Sequence, residues 1–166
     1  MDKIIIKKNT NGDTRTVDWN NPPTFEEFHD ANESHISDVR RVMIELSSEC
    51  SRRGYDHDFT KISREKEFYS DFTRTITDDP SMPDAFNFEE GDWYKMHVAA
   101  ERHHPDKNEP EDVNLLDIIE MIVDRVCASK ARGGIYINSI SSDLLWQAYL
   151  NTYELIDSMT EVKGEK

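Results

Sequence analysis

Residues 115–126, LLDIIEMIVDRV, decide how the rest of the chain is read. Leu115, Leu116, Ile118, Ile119, Met121, Ile122, Val123 and Val126 cover almost the full circumference of a helix, which predicts a helix from Pro110 to about Lys130 that is buried on most sides. Three carboxylates interrupt this coat. Asp117, Glu120 and Asp124 fall at i, i+3 and i+7, one above another on a single stripe. An unpaired buried charge costs on the order of several kcal/mol, so each of these groups needs a partner from another part of the chain.

Helical periodicity also governs the flanking sequence. Thr24 and Glu27 form a capping box for a short helix, and Asn32 or Ser34 can cap the next, in which Ile36, Val39, Met43, Leu46 and Cys50 make one apolar stripe as far as about Arg53. Gly54 is read as its end, followed by a loop, YDHDFTKIS, and a helix carrying Phe68, Phe72 and Ile76. After a polar stretch over 77–90, WYKMHVAAERHH reads as one helix stopped by Pro105, and a last helix runs from about Ser141 to Met159. Residues 1–22 read differently: Ile4-Ile5-Ile6, a turn at Asn11-Gly12 and a return at Thr14–Val17 predict a β-hairpin. The expected architecture is all-α, with five or six helices in one domain over 23–160, a hairpin extension over 1–22, and a frayed tail over 161–166.

Composition narrows the function. A chain of 166 residues with 36% hydrophobic side chains can build a core, while a net charge of −14 disfavours duplex nucleic acid, whose binding rests on Lys and Arg at phosphates. A small phosphorylated ligand stays open, because a bound divalent cation reverses the local field. The two cysteines stand in no metal-knuckle or disulfide spacing, and no segment is long and apolar enough for a membrane span or a signal peptide, so a cytoplasmic protein is expected.

The inward polar positions are His35, His57-Asp58, His97, His103-His104 and Asp124, with Lys61, Asp117 and Glu120 nearby in sequence. Imidazoles together with carboxylates suit Mn, Fe, Co, Ni or Zn better than Ca or a thiolate site. No single segment supplies enough ligands. Such a centre would have to be assembled from several elements.

In this order, His35, HDFTK at 57–61, HHPD at 103–106 and LLDIIEMIVD at 115–124, the chain resembles the HD-domain superfamily of helical metal-dependent phosphohydrolases. More narrowly, HDFTKISREKEF, HVAAERHHPD and LLDIIEMIVDR are similar to short HD-like proteins of phages and bacteria. The likeness spans roughly residues 30–160. It implies an HD-type helical bundle and His35, His57, Asp58 and Asp124 as ligands of one divalent metal. In binuclear relatives two more histidines hold a second ion, a role for His97 with His103 or His104. His97 and His104 are seven residues apart, about 10 Å along a continuous helix. One ion is therefore the expectation, with His97, His103 and His104 facing the substrate.

The implied reaction is hydrolysis of a phosphate ester or anhydride in a nucleotide-like small molecule, by a metal-activated water. Asp58 would orient that water, Glu120 would orient an imidazole or accept a proton, and Lys61, Arg102 and His104 would meet the developing negative charge. A phage origin would place the protein in the host cytoplasm. Two other readings keep the same pocket: an HD-type diiron oxygenase, and a non-catalytic binding protein that dimerises through the hairpin.

Overall fold

A computed structural model describes residues 3–8, 18–78, 81, 85–134 and 139–163. The fold is all-α apart from two short strands, in agreement with the sequence expectation. The chain divides into two compact units, one made of Met1–Ser51 with Thr152–Lys166 and the other of Arg52–Asn151.

The first unit joins the two ends of the chain. Strand β1 (Ile4–Lys7) pairs in parallel with β2 (Thr160–Lys163), Ile4 opposite Thr160 and Lys7 opposite Lys163. Residues 161–163, expected to fray, therefore belong to a strand, while the predicted turn at Asn11-Gly12 and return at Thr14–Val17 lie outside the described residues. Helix α1 (Phe25–Asp56) begins at the predicted capping box: the Thr24 amide donates to Glu27 Oε2 at 2.8 Å, and the Glu27 amide donates to Thr24 Oγ1 at 3.2 Å. Arg41 ties this helix to β1 by donating to the Ile5 carbonyl at 2.6 Å, and it also pairs with buried Asp38.

Helix α1 corrects two boundaries. Asn32 and Ser34 lie inside it rather than capping a second helix, and Gly54 does not end it. A glycine inside a helix costs about 1 kcal/mol, which a helix of 32 residues absorbs. The expected stripe is also more open than predicted, since Ile36, Val39 and Met43 are all roughly half exposed.

In the second unit, α1 is followed by α2 (Phe59–Ser63), α3 (Glu65–Thr77), a 3₁₀ turn (Phe88–Glu90), α4 (Asp92–Ala100), α5 (Pro105–Asn108), α6 (Leu115–Ala131) and the start of α7 (Ser142–Met159). Asn114 caps α6, with Asp117 completing a capping box. Its core packs Ile118 and Met121 of α6 and Val113 before it against Leu144 and Ala148 of α7. Burial on most sides, as predicted for α6, does not hold. Ile119, Ile122, Val123 and Val126 form a second apolar stripe that stays about half exposed, because only one face of α6 meets the core.

Candidate metal centre

The break between α1 and α2 carries His57 and Asp58. Asp58 adopts a left-handed backbone, φ 59°, which Asp tolerates better than most side chains. It stands at the N-cap of α2 without capping it, so its carboxylate is turned elsewhere. Lys61, one turn on, donates to Asp58 Oδ2. Burial opposes ionisation of Asp58, yet the Lys61 hydrogen bond and the nearby charges of Lys61, His57 and His103 hold its carboxyl below the usual range.

His57 Nδ1 lies 3.1 Å from Glu120 Oε1 and donates to it, while Nε2 lies 3.4 Å from Asp58 Oδ2 and 3.5 Å from Asp124 Oδ1. His103, 1% exposed, has Nδ1 3.5 Å from the same Glu120 oxygen and Nε2 3.5 Å from Asp58 Oδ1. Glu120 thus faces two imidazoles. Burial opposes its charge as well, but His103 and His57 hold its carboxyl below the ordinary value.

The expected continuous helix through His104 is not formed. Helix α4 stops at Ala100, and Pro105 opens α5 instead of ending α4, because the residue before a proline is disfavoured in helical geometry while the first helical position accepts proline. The turn between them folds His104 back until its Nε2 is 2.9 Å from His97 Nε2. This removes the objection that one ion cannot meet both residues. Burial, then the neighbouring imidazole in each case, pushes His97 and His104 down to about 4, so both rings are neutral near pH 7.

On α6 the acidic stripe finds its partners. Asp117, fully buried, receives Arg53 and two hydrogen bonds from Arg102 at 2.7 Å, as well as the Asn114 amide at 2.8 Å. Arg102, expected at the substrate, is instead held by Asp117 and Asp112. Arg125 pairs with Asp106 at 2.6 Å. His35 is exposed on α1 in the first unit. Among the described residues, the ligand atoms that gather within 4.8 Å are those of His57, Asp58 and His103, of His97, His103 and His104, and of Asp58, His97 and Glu101; His35 is in none of these groups.

These donors suit a divalent transition metal. Nitrogen and oxygen ligands about 2.1 Å from one ion stand roughly 3–3.5 Å from one another. The separations around Asp58 and His57, 3.4 to 3.7 Å, lie close to that range. Asp58 Oδ1 and both ring nitrogens of His103 are buried with no hydrogen-bond partner. Buried polar atoms of this kind call for a partner: a cation fits Asp58 Oδ1 and His103 Nε2, which lie 3.5 Å apart, while His103 Nδ1 faces the Glu120 carboxylate.

A cleft of about 830 Å³ opens onto His97, His104 and Asp124. Phe68, Phe72, Phe88, Trp93 and Tyr94 line it with aromatic rings, Lys61, Arg125 and Arg132 line it with cations, of which Lys61 pairs with Asp58 and Arg125 with Asp106, and Glu89 lines it with an acid. The predicted α3 stripe of Phe68 and Phe72 therefore serves the cleft wall. Trp93 is sandwiched, with Phe68 stacked at 4.2 Å and His97 at 4.9 Å between ring centroids.

Sequence reasoning passed over Thr60, Glu101 and Arg53. Glu101 stands four residues after His97, a spacing that places both on one helix face, and Thr60 lies within the HDFTK segment itself. Those were the available signals.

No curated protein and no solved structure matches the chain. Residues 24–162 match a family of unknown function, DUF5662, and the chain belongs to that family.

Proposed function

We propose that the protein is a metal-dependent phosphohydrolase acting on a small, nucleotide-like phosphorylated molecule. The observation that carries this reading is the convergence of buried, unpartnered Asp58 and His103 atoms with ring nitrogens of His57 and His97 near a cleft that combines aromatic faces with cationic side chains. A flat base fits the aromatic side by stacking, and phosphate oxygens fit Lys61, Arg125 and Arg132. The HD-domain resemblance points the same way.

Bound at these ligands, a divalent ion supplies Lewis acidity towards a phosphoryl oxygen and makes a water acidic enough to attack at neutral pH. Asp58 orients the attacking water, and Lys61 offsets charge beside Asp58. Glu120 holds His57 through Nδ1, keeping Nε2 directed into the site. Water attacks phosphorus and gives up a proton, the bond to the leaving oxygen breaks, and that oxygen takes up a proton in its place, so the protons balance. Neutral His97 and His104 serve as lone-pair donors.

A diiron oxygenase is the second reading, favoured by the grouping of His97, His103 and His104 beside His57 and Asp58, which brings four imidazoles and a carboxylate together. Elemental mass spectrometry on the wild type and Asp58→Ala tests both. One or two equivalents of Mn, Co, Ni or Zn, reduced at least roughly tenfold in the variant, with phosphate released from mononucleotides, supports the hydrolase. Iron with no phosphate release favours the oxygenase, and no metal after reconstitution overturns both.

A further inference from the structure

We infer that Thr60 and Glu101 form a buried relay that fixes the tautomer of His97 and so aims its Nε2 lone pair into the centre; they are positioning residues. The inference rests on the reading that the cluster binds a metal. Glu101 Oε1 accepts two hydrogen bonds from Thr60, one from the amide at 2.9 Å and one from the hydroxyl at 2.6 Å. A hydroxyl has one proton. With that proton directed to a carboxylate, which can only accept, Thr60 Oγ1 has only lone pairs to offer His97 Nδ1, 2.7 Å away. His97 must therefore carry its proton on Nδ1, and Nε2 is left bare.

Burial makes this arrangement decisive. Thr60 is 1% exposed, His97 3% and Glu101 6%, so no bulk water offers a substitute partner, and a broken link would leave a buried polar group unsatisfied. The ring plane is held independently by Trp93, nearly parallel to His97 at an interplanar angle of 12°. Stacking sets where the ring lies, and the relay sets which nitrogen is bare. Glu101 falls within ligand distance of Asp58 and His97, but its Oε1 already serves Thr60 twice, which assigns it to orienting rather than ligating.

Long-range proton–nitrogen NMR on the metal-free wild type reads the tautomer directly. The expected spectrum has a protonated Nδ1 and a bare Nε2 at His97; the reverse assignment overturns the inference. Thr60→Val removes the hydroxyl and keeps the shape, whereas Thr60→Ser keeps the hydroxyl. Titration with Zn²⁺ or Mn²⁺ should give affinity 10–100-fold weaker in Thr60→Val and within about threefold of wild type in Thr60→Ser. Equal affinity in Thr60→Val and wild type overturns the relay. A wild type that binds neither ion sinks the metal reading alone, because the NMR assignment still decides the relay. Should Thr60→Val fail to fold, the wild-type spectrum and Thr60→Ser carry the test.

Discussion

Asp117 is closed to solvent and its charge is met by Arg53, Arg102 and the Asn114 amide, so it anchors the start of α6. Burial opposes its ionisation, but these partners, Arg102 foremost, hold its carboxyl below the ordinary value of 3.8. Asp117→Asn leaves two guanidinium groups facing a neutral amide, and should lower unfolding free energy by about 3 kcal/mol at neutral pH. Because the folded-state pKa is depressed, this contribution is fully present above about pH 4 and is lost as pH falls through the folded value. Urea melts of both proteins should show a constant gap from about pH 5 to 8 and a closing gap in stronger acid; a gap that widens on acidification would mean Asp117 is protonated in the native state. The Asp117, Glu120 and Asp124 stripe was legible because helical spacing alone sets it. The Thr60–Glu101 link was not, since two residues 41 positions apart meet only through the packing of α2 on α4.

Helix α6 presents three faces with different tasks: Ile118 and Met121 to the core, Glu120 and Asp124 to the ligand cluster, and Ile119, Ile122, Val123 and Val126 to the outside. Neighbouring residues should therefore respond differently. Met121→Ala, at 2% exposure, should cost about 2–5 kcal/mol, whereas Ile122→Ala, at 52%, should cost about 1 kcal/mol or less by chemical denaturation. Comparable losses would mean the outer stripe is covered in solution. Apolar periodicity could place the helix but could not say which of its faces has a neighbour. The same limit explains the α4 boundary: His97 and His104 share a helical spacing, and Pro105 could be read equally as a stop or as a first position. The structure takes the second choice, and that choice brings the two imidazoles together.

With 34 acidic and 20 basic side chains, the protein repels a phosphate at long range, so the proposed function requires local charge at Lys61, Arg125 and Arg132 and an ion at the cluster. An ion that binds only the folded state also stabilises it. At a free concentration of 100 Kd the gain is about 2.7 kcal/mol, or roughly 5–10 °C in Tm for a chain of this size, and chelator should reverse it. Unchanged Tm across a Zn²⁺ or Mn²⁺ series, followed by calorimetry, would count against the cluster as a metal centre. The ligand-bearing residues of the cluster all lie in the unit Arg52–Asn151, an uninterrupted piece of chain. The other unit is built differently, since β1 finds its partner in β2 almost the whole length of the chain away. During synthesis at about 5–20 residues per second, the first strand therefore leaves the ribosome on the order of ten seconds before its partner exists. Over that interval Ile4-Ile5-Ile6 has no strand to pair with, while the segment that bears the cluster is completed before β2 is made.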